Sequence, residues 1–153
     1  EYYTLSPVRQ KDRIVYRESV LSGPVRPGDL LLVRLTAAGS TDWRYLMVDD
    51  PIPAGTEAVR QADLYELERR AEWGRFWESS RREYRDDRVV IFQEGFRAGR
   101  ADFAYLLKVT TPGVFRVLPA QVAPMYVPDS HASSDALTLT VVQDMPPAQG
   151  APR

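Results

Sequence analysis

The chain of 153 residues contains no cysteine, so it cannot build a disulfide, a thiolate metal site, a catalytic thiol or an internal thioester. It has one histidine, His131, which leaves a histidine-based metal centre short of its usual second nitrogen donor. No apolar run approaches the ~18 residues needed for a membrane-spanning helix, and no charged leader with a following apolar stretch marks a signal peptide. Neither sign of charge is in excess. With 20 Lys plus Arg against 21 Asp plus Glu and a net charge of -1, no global field recommends nucleic acid or an anionic membrane surface. Lysine is nearly missing, since Lys11 and Lys108 are the only two; this carries no functional reading.

What is present is a succession of short β-type segments separated by turn signals. Glu1 to Leu5 and Arg13 to Val20 read as strands joined by a polar, proline-bearing link, Ser6 to Asp12. After the turn clusters Ser22-Gly23-Pro24 and Arg26-Pro27-Gly28-Asp29, Leu30 to Ala37 is the most apolar strand, with Leu31, Val33 and Leu35 on one face. Trp43 to Val48 alternates Trp43, Tyr45 and Met47 with Arg44, Leu46 and Val48, a pattern expected to be buried on both sides, and Asp49-Asp50-Pro51 is expected to stop it. Val89 to Phe92 and Asp102 to Thr111 follow, the latter with Phe103, Tyr105, Leu107 and Val109 facing the core and a mostly wet opposite face. Phe92, Phe103, Tyr105, Phe115 and Trp43 are read as core, because a sandwich is filled from both inner faces.

Asp63 to Ser80 is the one segment whose apolar spacing predicts a helix. Asp63 caps it in this reading, with Glu66 completing a capping box, Leu64, Leu67 and Ala71 on one stripe, and Trp73, Phe76 and Trp77 extending that stripe or clasping the sandwich. The fold class expected is all-β, an antiparallel two-sheet β-sandwich with one short inserted helix. One domain spans 1–142, and the Pro-, Ala- and Gln-rich stretch 143–153 reads as a flexible tail. There is no internal repeat.

The inventory argues against catalysis. His131 lies in the polar loop Asp129-Ser130-His131-Ala132-Ser133-Ser134-Asp135, where a Ser-His-Asp arrangement would lack the rigid orientation that activates a nucleophile. The carboxylate pairs Asp49-Asp50 and Asp86-Asp87 offer at most one carboxylate per face of a strand, and their neighbours Pro51 and Arg88 suggest turn and ion-pair roles in place of a cation site. No catalytic, cofactor-binding or metal-binding residue is assigned. The functional candidate is instead the exit Pro119 to Pro128, read as an edge strand with irregular ends. There Pro124, Met125 and Tyr126 form the candidate contact with a neighbour: a thioether beside an amphipathic ring suits a packed interface. Of Met125 and Tyr126, alternation predicts that one closes the sandwich and the other makes the contact.

Several short strings fall in register over most of the chain. They are Pro27-Gly28-Asp29 with the strand Leu30 to Leu35, Asp50-Pro51-Ile52-Pro53-Ala54-Gly55-Thr56-Glu57, Arg85-Asp86-Asp87-Arg88-Val89, Thr110-Thr111-Pro112-Gly113, and Pro119-Ala120-Gln121 to Met125-Tyr126. In this order they resemble the C-terminal macroglobulin domain of bacterial α2-macroglobulins, envelope proteins related to protease-trapping inhibitors and complement thioester proteins. The resemblance implies a macroglobulin-type sandwich belonging to a longer chain, as the start at Glu1 without an initiator methionine also suggests. It further implies a periplasmic location, with the parent often lipid-anchored, and packing on other domains of the parent, among them one that holds a thioester. Target proteases would be partners through the parent. Met125, Tyr126 and Pro124 would then help to shield that reactive bond until a protease cuts a bait segment. The other expectation from a different class is a docking module for further periplasmic proteins, such as cell-wall enzymes or operon-encoded partners.

Overall fold

A computed structural model of the chain describes residues 1–68, 80–127 and 129–143. The strands are β1 (Tyr2–Gln10), β2 (Arg13–Val20), β3 (Leu30–Gly39), β4 (Leu46–Pro51), β5 (Thr56–Ala58), β6 (Arg81–Tyr84), β7 (Arg88–Gln93), β8 (Gly99–Val109), β9 (Gly113–Val117), β10 (Gln121–Pro124), β11 (Ala132–Ser133) and β12 (Leu137–Val141). One five-stranded sheet has the order β2-β1-β3-β8-β5 and the other β11-β10-β4-β7-β6, while β12 and β9 form a two-stranded ribbon. Every strand pairing is antiparallel. The expected antiparallel two-sheet sandwich is therefore the observed fold.

The main core lies between the sheets. Leu31, Val33, Phe103, Tyr105, Leu107 and Val109 of the first meet Leu46, Val48, Val89 and Ile91 of the second, and the ribbon adds Val117, Leu139 and Val141. The quoted strings have local causes. In Pro27-Gly28-Asp29, Gly28 takes φ of +95°, a conformation that disfavours a side chain. The Asp29 carboxylate accepts from the Arg26 N–H at 2.8 Å, and Gly28 N–H donates to the Val109 carbonyl at 2.8 Å, clamping the turn to the end of β8. Gly55 lies against the Phe115 ring: a Cβ there would come within 2.2 Å of it.

Five sequence expectations are corrected. Ser6 to Asp12 is not a link, because β1 continues through Pro7 to Gln10. Pro7 lies opposite Tyr16, whose own N–H and carbonyl point away to bond Glu66 and Glu68, so the missing proline donor leaves no gap. The hairpin instead turns at Lys11, with φ of +52°. Asp49-Asp50-Pro51 does not stop β4 but completes it, since Asp50 pairs with Val89 inside the sheet. The second face of β8 is largely dry: Ala104 and Leu106 are fully buried in a second cluster with Leu5, Leu30, Leu32 and Leu67.

No α-helix begins at Asp63. A 3-10 turn covers Ala62–Leu64, its preceding residue Gln61 makes no side-chain cap, and Leu64 is exposed. The chain then runs as a strap beside β2, through bonds from Tyr16 N–H to Glu66 and from Glu68 N–H to Tyr16, and drives Leu67 into the second cluster. The remainder of that expected helix, including Ala71, Trp73, Phe76 and Trp77, lies outside the described residues, as does the tail beyond Gln143. Finally, β10 is not a free edge at Gln121 and Val122, which β11 covers; only Ala123 and Pro124 lack a partner on that flank among the described residues.

Candidate functional site

Met125 and Tyr126 follow the last residue of β10 at one end of the sandwich. Pro124 is buried within the domain, whereas Met125 is 44% and Tyr126 76% exposed. Neither Met125 nor Tyr126 closes the sandwich. Alternation held only to Pro124; there the chain leaves the sheet and turns, with Val127 N–H reaching back to the Pro124 carbonyl at 3.4 Å, so the two side chains are no longer on opposite faces. The turn is tied to the segment before β4 by Met125 N–H donating to the Tyr45 carbonyl at 3.0 Å. The ring of Tyr126 meets that of Tyr45 edge to face, at 5.6 Å between centroids and 82° between planes. On Tyr45 the Arg44 guanidinium lies 5.6 Å from the ring centre.

The same two side chains border an open groove of about 650 Å³ on the outer face of the second sheet, floored by Tyr45 and Phe92 and rimmed by Arg81, Glu83 and Glu94. Glu83 is paired with Arg81 at 3.2 Å and Arg85 at 3.5 Å. Phe92, expected in the core, is half-buried and faces this groove. Sequence reasoning placed Tyr45 in an alternating strand and missed its role as the seat of Tyr126; no periodicity signals an aromatic pair across that distance in sequence. Phe96 was missed too. It is buried and exchanges two 2.8 Å backbone bonds with Trp43, which anchors the segment leading into Tyr45.

The remaining candidates are occupied by structural contacts. Ser134 Oγ accepts from Ala120 N–H at 3.0 Å and donates to the Asp135 carbonyl at 3.1 Å, while His131 is exposed on the wall of a separate hollow of about 220 Å³. Asp49 receives Arg88 at 2.9 Å, and Arg88 also holds Asp87 at 2.9 Å. Among the described residues no group of three His, Asp or Glu side chains converges as a metal site would require. Asp50 is the buried exception, 3% exposed. Burial pushes its pKa up to about 6, partly offset by the hydrogen bond from the Tyr105 hydroxyl at 2.6 Å.

A family model for the bacterial α2-macroglobulin MG10 domain matches residues 2–129. The chain belongs to this family. An α2-macroglobulin of Thermotoga maritima is 33% identical over 122 residues, covering 76% of this chain and 8% of that protein. One from Xylella fastidiosa is 27% identical over 136 residues, covering 79% of this chain and 8% of that protein. Among solved structures, native Escherichia coli α2-macroglobulin from domain MG7 to the C-terminus gives a TM-score of 0.68 at 30% identity, over 76% of this chain and 20% of that one. Salmonella α2-macroglobulin reacted with methylamine gives 0.71 at 27% identity, over 92% and 9%. The chain thus spans about 8% of each of these two curated relatives, and in them the matched region is one part of a much longer chain.

Proposed function

We propose that this MG10 domain is an interaction and shielding module of a bacterial α2-macroglobulin-type protease inhibitor. In this reading it contributes contact surface and no catalytic group. Met125 and Tyr126 lie on a neighbouring domain of the longer chain that holds a thioester, and keep water and amines from the bond until a protease acts. The observation that carries the reading is the pair of exposed apolar side chains, 44% and 76% accessible, on a turn that backbone and ring contacts hold in place. Isolated exposed apolar residues are ordinary, but a fixed aromatic beside a thioether on the rim of an aromatic-floored groove has the composition of a contact core. Buried Pro124 ends β10 and aims the turn; it is not itself a contact.

The chemistry asks for such a cover. Water or an amine attacking a thioester carbonyl forms an acid or an amide and releases a thiol, so an intact bond needs an apolar lid that excludes both and is withdrawn when the domains move. The relatives are consistent with a gated, amine-sensitive parent: one was examined after reaction with methylamine and another after activation by porcine elastase. The compartment that goes with this reading is the periplasm.

The test is made in the full-length chain that carries this domain. Met125→Ala and Tyr126→Ala should each release thiol faster in the absence of protease, read by thiol titration with and without methylamine, while the melting temperature of the isolated domain stays unchanged. Thiol release at the parent's rate in both variants removes the shielding role and leaves docking of another periplasmic protein as the reading.

A further inference from the structure

We infer that Tyr45 is a positioning residue for Tyr126: its ring fixes the direction in which the exposed Tyr126 side chain presents itself to the neighbouring domain. The inference rests on the contact reading above and adds the residue that makes the contact specific.

Tyr126 is 76% exposed on a turn beyond the end of β10, where its own strand no longer restrains it. An exposed tyrosine in such a place samples several rotamers and loses that freedom on docking, which weakens the contact. Here the edge-to-face approach of Tyr45, at 5.6 Å and 82°, supplies a preferred direction. The worth of one aromatic pair corresponds to a roughly 2- to 12-fold bias among alternatives. Tyr45 is able to do this because it is itself fixed. Two residues earlier Trp43 is locked to Phe96 by both backbone bonds, the next residue Leu46 is buried at the start of β4, and the Arg44 guanidinium lies over the Tyr45 ring at 5.6 Å from its centre. The Met125 N–H bond goes to the backbone carbonyl of Tyr45, so replacing the Tyr45 side chain removes the ring contact and leaves the turn tied.

The experiment has two arms. In the 153-residue chain, selectively labelled tyrosine NMR should report one dominant χ1 rotamer for Tyr126 in the parent and in Tyr45→Phe, and rotamer averaging in Tyr45→Ala. In the full-length chain, Tyr45→Ala should raise protease-independent methylamine uptake by roughly 2- to 12-fold, with Tyr45→Phe at the parent's rate. An ordered Tyr126 in Tyr45→Ala overturns the inference, as does Tyr45→Phe behaving like Tyr45→Ala. If Tyr126→Ala raises uptake and Tyr45→Ala does not, positioning fails and shielding stands. If Tyr126→Ala itself changes nothing, shielding fails, and the NMR arm alone decides whether Tyr45 orders Tyr126.

Discussion

The Tyr105 hydroxyl of β8 donates to the Asp50 carboxylate of β4 at 2.6 Å, joining the two sheets through the middle of the core. Tyr105 is fully buried and Asp50 3% exposed. Tyr2, from β1, is also buried there; burial first and the Asp50 charge second raise both phenols above their ordinary range. A carboxylate in such surroundings is ionised only at a cost, because the apolar walls do not replace its hydration.

That cost makes stability depend on pH. Asp50 titrates near 6 in the folded domain against 3.8 ordinarily, so the favourable contribution of the protonated form is fully present below about pH 4. Between about 4 and 6 the native chain keeps a proton that the unfolded chain has released, and stability falls as pH rises. Above 6 the loss is complete, at about 3 kcal/mol. Asp50→Asn keeps an acceptor for Tyr105 and abolishes this slope. Urea unfolding at pH 4 and pH 7.5 should show the difference between the two proteins changing by about 3 kcal/mol in favour of the variant at the higher pH. Parallel pH profiles would show that Asp50 titrates normally.

Tyr105→Phe removes the donor and leaves the carboxylate alone. The expected loss at pH 7.5 is about 1–3 kcal/mol, smaller at pH 4.5 where Asp50 is already neutral. The Tyr105 hydrogen bond holds the Asp50 pKa down, so carboxyl-carbon NMR titration of the variant should find Asp50 above its parent value.

The strands were legible where the code is local. β3 was found as a leucine-rich run after a turn cluster, β7 as a β-branched and aromatic run, and β8 by its alternation of Phe103, Tyr105, Leu107 and Val109, and Gly28 sits at positive φ where a turn was expected. What failed depended on partners distant in sequence. The dry second face of β8 is made by Leu67 and Leu5, and nothing within β8 says that a strap will cover it. That strap carries helix-like spacing at Leu64 and Leu67, yet hydrogen bonds to Tyr16 draw Glu66 and Glu68 into an extended path. The Lys11 turn was missed because it uses a left-handed lysine, with no glycine or asparagine to announce it. Met125 and Tyr126 were legible as odd composition after a proline. Their joint exposure was not, because it depends on where the chain leaves β10.

Gly55 gives a steric test of a close backbone approach. Alanine there would place its Cβ 2.2 Å from the Phe115 ring, so Gly55→Ala should destabilise by about 1–3 kcal/mol through overpacking. Combining it with Phe115→Leu, which withdraws the ring, should cost less than the sum of the two single changes, as expected for residues in contact. Additive losses in denaturant unfolding would place the strain elsewhere.

The strap separates burial from ion pairing. Glu66 pairs with Arg13 at 2.7 Å and Glu68 with Arg17 at 2.7 Å, and both arginines are more than half exposed. Such pairs add little in water and less in salt. Leu67, between the two acids, is 5% exposed in a cluster with Leu32, Ala104 and Leu106, and truncating a buried leucine costs about 2–5 kcal/mol. Leu67→Ala should therefore destabilise the domain strongly and at any ionic strength. Arg17→Ala should have a far smaller effect that disappears in 1 M salt. Hydrogen exchange distinguishes the outcomes locally: protection of Tyr16 N–H and Glu68 N–H, which hold the strap to β2, should fall sharply in Leu67→Ala and hardly at all in Arg17→Ala. The reverse order would mean that the charged pairs, and not the leucine, hold this segment down.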